Sequence, residues 1–272
     1  MSQGQNTSSQ RQSVTPLRVG LLEVPHGFFT REGGVSPAPC ATLNGGINTV
    51  DAPRNVEENR CRIADCLDVT PQNMPALRQV HGNRVIVIGQ DVAPRPVAEG
   101  APPEADAVIS VNPDFAASVA TADCAPVLLM AGDGSIVAAA HAGWRGAVGG
   151  ILEATVRRME AMGARHIRAV VGPCIGANSY EIGADMRNTV LQSLPEGERA
   201  EAENYFHPSF RENHARFDLA GFCLWRLRLL RVAQVENMDV DTLTDPRFFS
   251  YRRATLEGNG ETGRQLSVIR PH

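Results

Sequence analysis

This chain contains no lysine, because all 26 of its basic side chains are arginine. The absence excludes enzymes that form a Schiff base through a lysine, including those that anchor pyridoxal phosphate. It also excludes the phosphate-binding loop whose lysine contacts nucleotide phosphates. A phosphate group would have to be bound by arginine, by backbone N–H groups or by a metal ion. A bias in genome composition explains the arginine excess, because arginine and lysine serve equally on a solvated surface.

The chain also lacks an excess of positive charge, a long apolar run and closely paired cysteines. Its net charge of −4 gives no basic surface for nucleic acid, and no apolar run reaches the ~18 residues that a membrane span needs. The six cysteines include no Cys-x-x-Cys pair, which favours a reduced cytoplasmic protein over a disulfide-stabilised secreted one. We expect a cytoplasmic enzyme of small-molecule chemistry, with neither nucleic acid nor a membrane as partner.

The domain organisation predicted from the sequence is simple. Residues 1–16 are rich in Gln, Ser and Thr and have no signal-peptide core, so we expect a disordered N-terminal tail. Residues 17–272 contain no long linker and no internal repeat, which predicts a single domain. The sequence leaves the oligomeric state open.

Apolar periodicity predicts helices that alternate with short strands. Helices are expected over residues 53–68 and 146–162, and from Asp218 to about Val235. Short apolar runs predict extended segments at 84–88, 105–110, 116–120, 126–130, 136–140, 167–171 and 247–251. The turn at Asp133-Gly134 predicts a β-hairpin between two of these strands. The pattern indicates an α/β or α+β layered fold with a mixed sheet.

Three side chains are candidates for a metal site. Cys124 lies at the start of one strand of the hairpin and His141 at the end of the other, so the turn brings them to the same end of the sheet. His81 precedes another strand, and sequence spacing alone does not place it beside them. Two imidazoles and a thiolate suit Zn²⁺, and three protein ligands leave an open position for water or substrate, as in catalytic zinc sites. Copper is the alternative metal for such ligands.

Several neighbours of these residues are candidates for substrate binding. Arg145 lies at the start of the helix predicted after His141, where free N–H groups favour an anion. An exposed helix-cap salt bridge is the other interpretation of Arg145. The glycine-rich loop 172–176 suits either close approach to a ligand or a structural turn. Arg252 and Arg253, which follow two aromatic residues, could stack on a base or flank a packed core.

Motifs along the chain resemble one known family in sequence order. They are Gly33-Gly34-Val35-Ser36, Leu43-Asn44, Glu58-Asn59-Arg60, Gln79-Val80-His81-Gly82, Ala105-Asp106-Ala107, Thr121-Ala122-Asp123-Cys124, Ala140-His141-Ala142-Gly143-Trp144-Arg145-Gly146, Gly172-Pro173-Cys174-Ile175-Gly176 and Phe248-Phe249-Ser250-Tyr251-Arg252-Arg253. The family is the laccase-domain family, once called multicopper polyphenol oxidoreductases and described as purine nucleoside phosphorylases. The resemblance covers about residues 18–270.

The resemblance implies that His81, Cys124 and His141 are zinc ligands with a catalytic role. It also implies a layered α/β/β/α fold of the cytotoxic-necrotising-factor-like cysteine hydrolase type. The expected activity is phosphorolysis of adenosine, inosine, guanosine and methylthioadenosine, together with adenosine deamination. Within this expectation we assign Arg145 to anion binding, Asp123 to orienting the site and Asn44 to substrate contact.

Three other functions stay open at the level of sequence. Copper-dependent phenol oxidation fits the donor types, but a trinuclear copper cluster needs more histidines than seven scattered ones supply. A metal-free thiol hydrolase or deamidase using Cys124 and His141 is the second alternative, although it gives His81 no role. A non-catalytic binding module is the third.

Overall fold

The computed structural model describes residues 14–93 and 100–272. Most of the expected N-terminal tail, residues 1–13, lies outside this part of the chain. Val14 is described, and only 5% of its surface is exposed because it packs in an apolar cluster with Phe29 and Leu43. The expected tail and the single domain over residues 17–272 stay predictions.

Short strands outnumber helices in the described residues. The strands are β1 (His26–Phe28), β2 (Val85–Val87), β3 (Ala107–Ser110), β4 (Ala117–Thr121), β5 (Ala125–Met130), β6 (Val137–Ala142), β7 (Arg168–Val171), β8 (Glu181–Gly183), β9 (Phe206–Pro208), β10 (His214–Phe217), β11 (Gln234–Asn237) and β12 (Gln265–Ile269). The α-helices are α1 (Pro53–Asp65), α2 (Trp144–Val148), α3 (Ile151–Ala161), α4 (Ala184–Ser193), α5 (Glu196–Ala202), α6 (Leu219–Leu229) and α7 (Tyr251–Glu257). No helix within the described ranges combines the length and apolar character that crossing a membrane requires.

The largest sheet of the described chain is mixed, as the sequence predicted. Its strand order is β11-β7-β5-β6-β3-β2. The outer pairs β11–β7 and β2–β3 are parallel, whereas the inner pairs are antiparallel. Strands β1-β12-β4 form a second sheet and β8-β10-β9 a third, both antiparallel.

The layers follow from the alternation of side chains along the buried strands. On β5, Val127 packs with Leu152 of α3 on one face of the central sheet. Its neighbour Leu128 points the other way and packs with Val119 of the second sheet. Helix α1 covers the outer face of that second sheet through Ile63. The order of layers is helix, sheet, sheet, helix, in agreement with the expected α/β/β/α arrangement.

Three predicted elements differ from the structure. The helix expected at 146–162 is two helices, α2 and α3, because Gly150 between them adopts a left-handed conformation with φ of 87°. The helix capped by Asp218 ends at Leu229 rather than near Val235, since the chain turns there and enters β11. The segment 247–251 is not a strand, because the Ser250 side chain caps α7.

Candidate metal centre

The strand register brings two of the three candidate ligands together. In the hairpin formed by β5 and β6, Pro126 pairs with His141. Cys124 lies two residues before Pro126, so its side chain reaches the same end of the sheet as His141. The sequence prediction that the turn places these residues side by side is confirmed by this pairing.

His81 reaches the pair from the loop that precedes β2. Its Nε2 atom lies 3.7 Å from the Sγ atom of Cys124, and its ring centroid is 4.8 Å from that of His141. The three potential ligand atoms lie within 4.8 Å of one another. Among the described residues this is the one group of three or more such side chains close enough to hold a metal ion. Sequence spacing could not establish this proximity.

Asp106 holds both histidines in place, and the sequence analysis did not single it out as a site residue. One carboxylate oxygen accepts hydrogen bonds from the His81 backbone N–H at 2.9 Å and from His141 Nδ1 at 2.9 Å. The other accepts the N–H groups of Val80 at 3.2 Å and Gly82 at 2.8 Å. His81 can keep its unusual φ of 60° because of these bonds. The Ala105-Asp106-Ala107 motif was the signal that could have identified it.

The bond to Asp106 also fixes which nitrogen of His141 faces the site. Because Nδ1 is occupied by the carboxylate, Nε2 is left for a metal ion or for Cys124. Burial opposes charge on Cys124, but the neighbouring His141 and His81 outweigh it and lower the pKa of the thiol. Burial likewise opposes charge on His141, yet Cys124 and Asp106 raise its pKa. Without a metal ion, the pair therefore favours thiolate and imidazolium.

The residues present fit a zinc ion. The donor set is two imidazole nitrogens and one thiolate, and Zn²⁺ binds these at about 2.0–2.3 Å. Gly143 leaves the room that the site needs, because a Cβ atom there would lie 2.6 Å from Cδ2 of His81 and 3.0 Å from Sγ of Cys124. His141 is buried, whereas His81 is exposed toward a cavity. The open side of this group of donors therefore faces the cavity.

This cavity has a volume of about 480 Å³ and includes all three candidate ligands in its wall. A volume of this size suits a small molecule such as a nucleoside. Three arginines also border it, each close to an aromatic ring. The guanidinium carbon lies 4.3 Å from the Trp144 ring centre for Arg145, 5.5 Å from Tyr180 for Arg252 and 6.0 Å from Tyr251 for Arg264.

The three arginines differ in how firmly they are held. Arg252 donates twice to the carbonyl of Glu181 at 3.0 Å, and Arg264 donates to the carbonyls of Thr262 and Gly263. Arg145 is exposed in the first turn of α2, and its guanidinium has no hydrogen bond or ion pair to any described residue. None of the three guanidinium groups donates to a carboxylate in the described chain. Their positive charge is available to an anionic ligand.

Asp123 and Asn44 act on the walls of the cavity in different ways. Asp123 borders the cavity, and its carboxylate accepts Thr242 Oγ1 at 2.7 Å and the backbone N–H of Arg252 at 2.6 Å. Asn44 is fully buried and does not border the cavity. The direct contact with substrate that we expected of Asn44 is therefore not visible in this arrangement. Its Oδ1 accepts the N–H groups of Gly46 and Arg264, both of which line the cavity. Asn44 therefore positions cavity residues.

The sequence left open the roles of the loop 172–176 and of Arg252 and Arg253. The loop 172–176 contributes Ile175 to the cavity wall and is anchored by the Gly176 N–H, which donates to Asp241 at 3.0 Å. Arg252 borders the cavity. Arg253 instead donates to backbone carbonyls, among them that of Leu243 at 2.9 Å, and ties the start of α7 to the preceding loop.

Comparison with known proteins identifies one family and relatives that share one name. The model of a family described as multi-copper polyphenol oxidoreductase laccase matches residues 25–272. A Deinococcus radiodurans protein named purine nucleoside phosphorylase is 38% identical over 259 residues, which are 93% of this chain and 91% of that protein. A Pseudomonas aeruginosa protein of the same name is 37% identical over 241 residues, 88% and 90% of the two chains.

Solved structures resemble the fold over nearly the whole chain. A crystal structure of a Neisseria meningitidis protein matches with a TM-score of 0.78 and 30% identity, covering 96% of this chain and 99% of the other. The crystal structure of YlmD from Geobacillus stearothermophilus matches with a TM-score of 0.82 and 25% identity, over 97% and 98% of the two chains. The layered architecture is therefore shared with experimentally determined structures.

Proposed function

The chain belongs to the multi-copper polyphenol oxidoreductase laccase family, and we propose that it is a zinc-dependent purine nucleoside phosphorylase. Its substrates are adenosine, inosine, guanosine and methylthioadenosine, which react with phosphate to give the base and the sugar 1-phosphate. Adenosine is also deaminated. Relatives that bear the name purine nucleoside phosphorylase at 37–38% identity support this proposal.

One observation carries the proposal: the three candidate ligands and Arg145, whose guanidinium has no hydrogen bond or ion pair to a described residue, border the same cavity of about 480 Å³. A zinc ion held by His81, Cys124 and His141 would act as a Lewis acid and would lower the pKa of water for deamination. The guanidinium of Arg145 binds phosphate, because it is exposed to the cavity and has no acidic partner among the described residues. Holding phosphate and nucleoside in one cavity supplies the proximity that phosphorolysis needs.

We assign the protein to the cytoplasm. All six cysteines lie in the described ranges and all are free thiols, which suits a reducing compartment.

The test is a product analysis of adenosine and inosine incubated with zinc-loaded protein, with and without phosphate. We expect adenine or hypoxanthine and ribose 1-phosphate only when phosphate is present, and inosine from adenosine in either condition. Metal analysis should give about one zinc per chain. If both nucleosides are recovered unchanged with and without phosphate, the proposed function is wrong.

A second function is favoured by one specific arrangement. Cys124, His141 and Asp106 form a relay in which the carboxylate orients the imidazole and the imidazole lowers the thiol pKa, as in thiol hydrolases. This function predicts that metal-free protein is rapidly alkylated at Cys124 by iodoacetamide and hydrolyses an amide or ester substrate. Zinc should protect the thiol, so activity that rises with zinc loading would contradict the hydrolase function.

A further inference from the structure

The cavity contains a tyrosine that the mechanism above does not use. Tyr180 is half-buried in the cavity wall, directly before β8. Its hydroxyl has no hydrogen-bond partner among the described residues, although its backbone is held at both ends. The N–H donates to the Gly176 carbonyl at 3.0 Å, and the carbonyl accepts the Phe217 N–H at 2.9 Å. A hydroxyl with no protein partner in a ligand cavity is available to the ligand.

The ring of Tyr180 is held by packing as well as by its backbone. Its centroid lies 6.0 Å from the ring of Phe217, and the guanidinium of Arg252 lies over its face at 5.5 Å. Arg252 is itself fixed by two hydrogen bonds to the carbonyl of Glu181. The hydroxyl therefore occupies a defined position, which a donor that stabilises a transition state requires.

The hydroxyl acts as a neutral donor. Burial raises the pKa of Tyr180. The phenol thus keeps its proton throughout the neutral range. The phosphate dianion is attracted to the positive charge of Arg145. The neutral Tyr180 hydroxyl suits the uncharged part of the substrate, which is the purine.

Resting on the proposed function, we propose that Tyr180 donates a hydrogen bond to the departing purine at N7. In phosphorolysis a phosphate oxygen forms the new bond to C1′ of the ribose while the C1′–N9 bond breaks. The electron pair of that bond passes to the purine and is shared with N7. The proton that monohydrogen phosphate loses on becoming the ester balances the proton that the base gains through solvent. Tyr180 stabilises the developing charge and retains its own proton.

The first experiment compares wild-type protein with Tyr180→Phe in phosphorolysis of inosine. Because one donor to a developing anion is lost, kcat should fall about 100-fold. The KM for phosphate and the zinc content should be unchanged. Tyr205→Phe is the matched control, because Tyr205 is half-buried and stacks on Trp225 away from the cavity. It should leave the kinetics unaltered.

The second experiment separates a role at the leaving group from general damage. A series of 6-substituted purine ribosides varies the acidity of the departing base, and log kcat is plotted against the pKa of that base. The dependence should be steeper for Tyr180→Phe, because a poor leaving group needs the donor most. Equal slopes, an unchanged kcat or a raised KM for phosphate alone would overturn the proposal. If wild-type protein itself turns over no nucleoside, the proposed function has failed instead.

Discussion

Asp106 is the residue whose substitution tests the metal centre most directly. Its four hydrogen bonds come from His141 Nδ1 and from the N–H groups of Val80, His81 and Gly82. In Asp106→Asn one of the two oxygens becomes an NH₂ group. Either orientation of the amide places that NH₂ against two donors, so two of the four bonds are lost. Because the side chain is fully buried, water cannot replace them.

The expected loss of stability follows from the number of hydrogen bonds that the substitution removes. Hydrogen bonds to a charged acceptor contribute about 1.5–3 kcal/mol each, so the loss of two should lower the free energy of unfolding by about 3–6 kcal/mol. The zinc affinity should fall about 10- to 100-fold, because either orientation of the amide removes hydrogen bonds that hold the loop carrying His81. Urea unfolding of metal-free protein measures the first effect, and competition with a chromophoric chelator measures the second.

Asp133→Asn is the matched control for this experiment. Asp133 is exposed in the turn between β5 and β6 and bonds only to Ser135 among the described residues. Its substitution should change neither the zinc affinity nor the unfolding free energy by more than about 0.5 kcal/mol. Unchanged zinc affinity in Asp106→Asn would refute the argument that the carboxylate orients the ligands.

Three further predictions concern the site and its surroundings. Gly143→Ala should abolish tight zinc binding, because the new Cβ atom would lie 3.0 Å from Sγ of Cys124. The control is Gly197→Ala, because a Cβ atom at position 197 would meet open space. This variant should bind zinc normally in the same titration. Arg145→Ala should raise the KM for phosphate about tenfold or more with zinc retained, and Arg145→Lys should restore it only in part, as steady-state kinetics would reveal. Burial alone would raise the pKa of Asp51, but hydrogen bonds lower it from 3.8. The ionised Asp51 carboxylate therefore stabilises the fold fully above pH 3.8, and this contribution is lost as the pH falls through the lower pKa of the folded state. In Asp51→Asn, the free energy of unfolding should consequently fall less steeply at acid pH.

Several elements of the fold follow from local sequence. Alternation of apolar residues and the Asp133-Gly134 turn predict the β5–β6 hairpin, because a two-fold side-chain period and turn chemistry act within a few residues. The same hairpin places Cys124 beside His141. Local patterns failed where tertiary contacts decide. The break at Gly150 and the short span of α6 depend on how the chain must pack against the central sheet.

The sequence by itself determined the chemical types at the site: two imidazoles and a thiolate, arginine as the basic side chain, and the family motifs that carry them. Tertiary structure decided which further groups join Cys124 and His141. His81 and Cys124 are 43 residues apart, and the buried Asp106 carboxylate connects the His81 loop to His141. Tyr180 borders the cavity from the position directly before β8, in a segment with no motif to mark it. Such contacts arise when strands that are distant in sequence pack together, and spacing along the chain does not specify which residues then become neighbours in space.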